Sequence, residues 1–70
     1  MSLNTELLYC PITRQLFNKP VIASDGITYE KNAIKKWLRT NVNSPISRIE
    51  LKNELFDNRL IRNIINDLLK

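Results

Sequence analysis

The stretch Tyr9–Leu38, YCPITRQLFNKPVIASDGITYEKNAIKKWL, holds the chain's only Cys, Cys10, and its only Gly, Gly26. Within it, Pro20–Ala23 and Ile27–Tyr29 read as two short strands. The intervening Ser24-Asp25-Gly26 is a hairpin signal, because glycine adopts the positive φ that such a turn demands. Glu30 to about Arg39 reads as a helix, with Ala33, Ile34, Trp37 and Leu38 lining one face. Glu30 in its first turn and Lys35, Lys36 and Arg39 toward its end suit the helix dipole. Ile34 and Leu38 serve as the core stripe, which leaves Trp37 at its edge. Upstream, Cys10–Lys19 reads as a loop anchored by Ile12 and Leu16. Pro11 removes a backbone donor and biases Cys10 toward an extended conformation.

Working outward, residues 1–7 form a lead-in and residues 8–70 a single domain. Leu7, Leu8 and Tyr9 make the junction apolar. Met1-Ser2-Leu3 reads equally as a native start or as an added leader on a domain cut from a longer protein. Asn41–Arg48 is a second loop, containing Pro45. Asn58–Leu69 reads as a second helix that Asp57 or Asn58 can cap. Its stripe of Leu60, Ile61, Ile64, Ile65, Leu68 and Leu69 is expected to pack on the hairpin and first helix. The end near Leu68 and Leu69 is alternatively free to dock a neighbouring domain or a second copy. No internal repeat, linker or low-complexity tract is expected, since the frequent Asn residues are dispersed.

Composition then excludes whole classes. Seventy residues bury only ~60 % of the surface the unfolded chain exposes, so a domain this small usually needs a disulfide, a metal or a partner. One Cys rules out an intrachain disulfide. One Cys and no His rule out any zinc finger, ribbon or zinc-bound RING site, which takes four ligands. A lone thiol fits a reducing, intracellular compartment. No apolar run approaches the ~20 residues of a membrane span, and no signal peptide is visible. The net charge of +4 permits nucleic-acid binding, but the basic residues are scattered, and only Lys35-Lys36 through Arg39 forms a local patch. A solvated helix face accounts for that patch better than phosphate binding does.

The series Cys10-Pro11-Ile12-Thr13, Pro20-Val21, Gly26-Ile27-Thr28-Tyr29-Glu30, Ala33-Ile34, Trp37-Leu38, Ser44-Pro45, Leu51, Leu55 and Asn58 resembles a U-box domain over about Leu8–Leu69. The resemblance implies an α+β fold: a RING-like ββα core with two long loops, a C-terminal helix and no metal or other cofactor. Hydrogen bonds and salt bridges then hold the loops where a RING uses zinc. A structural zinc site is worth ~10–16 kcal/mol, whereas one hydrogen bond nets only ~0.5–1.5 kcal/mol, so several must cooperate. Thr13, Ser24, Asp25, Thr28, Glu30, Asn43, Ser44 and Arg48 are the candidates. Three positions depart from the family pattern: Lys19 where an acid is frequent, Asp57 where a Pro is usual, and Phe17 for a common Met.

The same resemblance implies a ubiquitin ligase module. Such a module docks a ubiquitin-charged conjugating enzyme and promotes transfer to substrate lysines, without a covalent intermediate of its own. Cys10 is accordingly a structural position and not a nucleophile, and no His is present to activate it. By family position, Ile12, Trp37 and Pro45 contact the conjugating enzyme, with Ile46 beside them, and Arg14 is the expected point of selectivity. Arg48, three residues after Pro45, corresponds to the linchpin cation that bridges conjugating enzyme and ubiquitin. The implied partners are a conjugating enzyme, ubiquitin and a protein substrate held by other domains, with no membrane and no role for nucleic acid. A homodimer stays open. So does the alternative of a U-box fold serving only as a binding module for a substrate or scaffold. The implied location is cytoplasmic or nuclear, or the host cytosol if the chain is a bacterial effector.

Overall fold

The computed structural model describes residues 5–69; the expectations for Met1-Ser2-Leu3 fall outside them. Strand β1 (Pro20–Ile22) pairs antiparallel with β2 (Thr28–Glu30) in the register Pro20↔Glu30, Val21↔Tyr29, Ile22↔Thr28. The connection closes as expected: Gly26, at φ +80°, donates its N–H to Ala23 O at 2.9 Å. Asp25 tightens the turn by accepting the Ile27 N–H on Oδ1 at 3.0 Å. Pro20 opens β1, where its missing N–H is tolerated. A third strand, β3 (Phe56–Asp57), pairs antiparallel with the other edge of β1, so the sheet order is β2-β1-β3. The sequence reading had no strand there, because two residues leave no alternation to detect.

Helix α1 (Lys31–Leu38) follows β2 directly. Glu30 is its N-cap by backbone, but its carboxylate makes no cap hydrogen bond and turns to loop one, described below. The dipole role assigned to it is therefore corrected. Helix α2 (Arg59–Leu68) is capped by Asn58, whose side chain accepts the Ile61 N–H. Asn58 also donates from Nδ2 to Thr28 Oγ1 at 2.9 Å, tying α2 to the hairpin.

Two apolar clusters form the core. Val21, Ala23, Tyr29, Ile34 and Leu51 fill the space between sheet and α1, with Trp37 and Leu38 packed against them. Cys10, Phe17 and Ile65 form the second, under loop one, and Ile12 packs on both. Phe17 thus fills its core position. Leu16 does not anchor the loop: it is 42 % exposed, because the Tyr9↔Leu16 bridge turns it outward. The stripe of α2 is also only partly used. Ile65 is buried and Ile61 packs beside it, but Leu60, Ile64, Leu68 and Leu69 stay exposed. The helix rests on loop one and β1 and not broadly on the hairpin and α1. No described helix is long and apolar enough to cross a membrane.

Two loop segments nonetheless share one local conformation. CPITR (Cys10–Arg14) and SPISR (Ser44–Arg48) fold alike. Each begins on a buried residue whose heteroatom accepts the N–H two residues on: Cys10 Sγ from Ile12 at 3.4 Å, Ser44 Oγ from Ile46 at 3.0 Å. In each, the fourth residue accepts on its hydroxyl oxygen from the N–H two further on, Gln15 to Thr13 and Ile49 to Ser47. Each ends on an Arg at positive φ, +62° and +64°, whose N–H returns to the carbonyl of the first residue. The motif is five residues long and its first and fourth letters differ, so periodicity does not expose it.

Candidate functional site

Loop one is fastened to the strand–helix junction. The Glu30 carboxylate accepts from the Asn18 N–H at 2.8 Å and the Lys19 N–H at 3.0 Å. Lys31 N–H donates to Lys19 O at 2.9 Å, and Glu30 N–H donates to Cys10 Sγ at 3.2 Å. The thiol of Cys10 is thus an acceptor in the frame. Lys19 enters through its backbone alone, so the missing acid at this position does not loosen the loop.

Loop two is held by a hydroxyl–carboxylate network. Tyr29, with 0 % exposure, donates from its OH to Asp25 Oδ2 at 2.8 Å and lies 2.7 Å from Ser44 Oγ. A phenol has one proton, so Ser44 donates in that second bond. Ser44 Oγ meanwhile accepts the Ile46 and Ser47 N–H groups at 3.0 and 2.9 Å. Ser47 Oγ donates to Asp25 Oδ2 at 2.9 Å. Two outer ties complete the attachment: Lys52 N–H to Ser24 Oγ at 2.9 Å, and Trp37 Nε1 to Asn43 O at 2.7 Å.

Burial pushes the Asp25 carboxyl up, but the hydrogen bonds it accepts from the Ile27 N–H and the hydroxyls of Tyr29 and Ser47 outweigh it, and the net shift is below the ordinary value. Tyr29 is pushed up to about 12, first by burial, which the Ser44 hydrogen bond opposes, and then by the Asp25 carboxylate beside it. Of the expected loop-holding residues, Ser24, Asp25, Glu30 and Ser44 act across loops and Thr28 joins hairpin to α2. Thr13 bonds only within its own loop, Asn43 uses only its carbonyl, and Arg48 uses only its backbone. Tyr29, Ser47, Cys10 and Trp37 were missed as holders. Among the described residues, no group of three or more His, Cys, Asp or Glu is placed to hold a metal.

The expected contact residues line three neighbouring hollows. One, of about 640 Å³, lies over α1 and has Ile12, Ala33, Lys36 and Trp37 in its wall. A second, of about 470 Å³, is lined by Trp37, Asn43, Pro45 and Arg48. Trp37 is the shared wall between them; its indole is half-buried, braced by Asn43 O. The third, of about 480 Å³, brings Arg14 of loop one against Ile46 of loop two, over Tyr9, Cys10 and Pro11. The residues therefore cluster across both loops and α1, but not in one cavity. The guanidinium groups of Arg14 and Arg48 make no hydrogen bond or ion pair among the described residues. Both residues are exposed and have left-handed backbones.

A U-box domain family model matches residues 5–70. The chain is a member of the U-box family. Its relatives span distant sources. Over 58 residues it is 38 % identical to a protein of Acanthamoeba polyphaga mimivirus named "Probable bifunctional E2/E3 enzyme R795", covering 83 % of this chain and 4 % of the relative. Over 46 residues it is 48 % identical to U-box domain-containing protein 51 of Arabidopsis thaliana, covering 66 % of this chain and 6 % of that protein. Over 63 residues it is 43 % identical to the human WD repeat, SAM and U-box domain-containing protein 1, covering 87 % and 13 % respectively. The U-box chain spans only a small part of each. These relatives are eukaryotic or viral, and the expectation of a bacterial effector is not borne out.

Proposed function

We propose that this U-box is a ubiquitin ligase module that docks a ubiquitin-charged conjugating enzyme on the rim formed by loop one, α1 and loop two. The carrying observation is the pair of hollows that share Trp37, with Ile12 on one side and Pro45 and Arg48 on the other. Half-buried aromatics braced by a hydrogen bond are suited to anchor a partner, since little side-chain entropy is lost on docking. Ile46 and Arg14 extend the contact, and Arg14 sets which conjugating enzymes are accepted. The mimivirus relative's name joins conjugating and ligase activities in one protein, which supports the choice of partner.

Arg48 is the linchpin in this reading. Its guanidinium is always charged and presents five N–H donors in a fixed fork. Spanning enzyme and ubiquitin, it holds the thioester-linked ubiquitin in one pose. Orientation supplies up to ~7–11 kcal/mol in ideal intramolecular cases, and one Arg bridge realises a fraction. The domain contributes no nucleophile; the substrate lysine attacks the thioester, and substrate is brought by other parts of a longer protein. This chemistry belongs to an intracellular compartment, cytoplasmic or nuclear.

The test is single-turnover discharge of a ubiquitin-loaded conjugating enzyme onto free lysine. Arg48→Ala is expected to abolish stimulation while the melting curve and most conjugating-enzyme affinity survive. Undiminished discharge by Arg48→Ala removes the linchpin role. No stimulation by the wild-type chain across a panel of conjugating enzymes favours a binding module without ligase activity.

A further inference from the structure

The frame of loop one uses only the backbone of Lys19 and leaves its ammonium idle. Lys19 lines a hollow of about 210 Å³ together with Pro20, Lys31, Asp57, Asn58 and Arg62. Backbone hydrogen bonds fix where the three cations start. Lys31 N–H donates to Lys19 O at 2.9 Å, Asn58 N–H to Pro20 O at 2.9 Å, and Arg62 N–H to Asn58 O at 3.2 Å. The end of loop one, the start of α1 and the first turn of α2 are thereby gathered around one spot. Among the described residues, the two ammonium groups, the Arg62 guanidinium and the Asp57 carboxylate make no hydrogen bond or ion pair. Three cations against one carboxylate leave two positive charges uncompensated. Like charges gathered by a rigid frame repel unless an anion joins them.

We propose that this hollow binds a phosphoryl group, carried on a phosphorylated serine or threonine of a partner protein. Such a group bears a charge of about −1.5 to −2 at pH 7 and three strong acceptor oxygens. It therefore matches both the uncompensated charge and the number of cationic side chains. The fork of Arg62 can take two oxygens at once, while Lys19 and Lys31 act as point charges. A carboxylate has one charge and two oxygens, and leaves part of the site unsatisfied. The hollow is smaller than the ~300–1,000 Å³ of a pocket that encloses a whole small molecule, as suits a single group presented from outside. Nucleic acid is held by cations in series along its backbone, whereas Arg14, Lys36 and Arg48 line separate hollows. None of the six residues around this hollow lines those three, so the proposal does not depend on the ligase reading.

Amide NMR spectra of the 70-residue chain test it. The titrants are inorganic phosphate and an alanine peptide with one phosphoserine, each from ~0.1 to ~50 mM, the range in which a single-group site saturates. Both are expected to shift the amides of Lys19, Lys31, Asn58 and Arg62 saturably, and the unphosphorylated peptide is expected to leave them in place. Lys19→Glu should weaken binding roughly tenfold by cancelling the excess charge, with the melting curve unchanged because the side chain holds nothing. Arg62→Gln should weaken it as well, and decides the matter if the first variant melts early. Asp57→Asn removes the repelling carboxylate and should tighten binding roughly threefold, a change of sign that a structural lesion does not give. Absence of saturable shifts at these amides, or affinity unmoved by both Lys19→Glu and Arg62→Gln, overturns the proposal. So does a glutamate peptide that binds as tightly as the phosphoserine one. Binding of free phosphate without the phosphopeptide, or tighter binding of a single-stranded oligonucleotide through the same residues, overturns the protein source of the group.

Discussion

Tyr29→Phe isolates the network that holds loop two. The ring stays and fills the same space, so no cavity opens. What is lost is the OH donated to Asp25 at 2.8 Å and the bond with Ser44 at 2.7 Å. A neutral hydrogen bond nets ~0.5–1.5 kcal/mol and one to a charged group ~1.5–3. Asp25 keeps the Ile27 N–H and the Ser47 hydroxyl, so its charge is not orphaned, and the expected loss is about 2–3 kcal/mol. For a domain of this size that lowers Tm by roughly 10–20 °C. The alkaline limb should change as well. With its pKa raised to about 12, Tyr29 contributes stability that is fully present below ~10, the unfolded value. That contribution fades as pH rises from there through 12. The wild type should therefore lose on the order of 3 kcal/mol across that window, and the Phe variant should lack this component. Urea and thermal melts followed by circular dichroism at pH 7 and pH 11 read both. A Tyr29→Phe variant within 0.5 kcal/mol of wild type at pH 7 would refute the claim that hydroxyl bonds stand in for metal here.

Three further outcomes are expected. Glu30→Gln replaces a carboxylate oxygen with an amide donor facing the Asn18 and Lys19 N–H groups, and should cost about 1–3 kcal/mol in urea melts while freeing the amides of loop one to exchange. Gly26→Ala meets no atom within 4 Å, so any loss, about 1–2 kcal/mol in the same melts, comes from the positive φ alone. Because the Asp25 carboxyl lies below its ordinary value, its contribution is present above ~4 and is lost as pH falls through the folded value. An acid titration should therefore show a shallower loss for Asp25→Asn than for wild type.

The hairpin and α1 were readable because their signals are local: a lone Gly between apolar runs, and four apolar residues at helical spacing. Tyr29 was readable as a strand residue, but nothing local says that its hydroxyl reaches Ser44, fifteen residues on. The same holds for the Trp37 indole and the Asn43 carbonyl. β3 escaped because its pairing comes from β1 and not from its own pattern. Leu16 was misread because a loop bridge, and not hydropathy, sets which way it points. The candidate contact residues share neighbouring surface on the two loops and α1, whereas their division into three hollows depends on backbone turns at Arg14 and Arg48 that no residue type announces, Arg being an uncommon choice at positive φ.

The two alike loops attach to neighbouring residues of β2, one through Tyr29 and the other through Glu30. Consecutive strand side chains leave opposite faces about 3.3 Å apart along the chain. The distance between the two rims is thus metered by a single step of extended backbone and not by the loops' own lengths. Residues can be exchanged along either loop without altering the gauge between them, whereas one residue inserted into β2 would turn both anchors to the wrong faces.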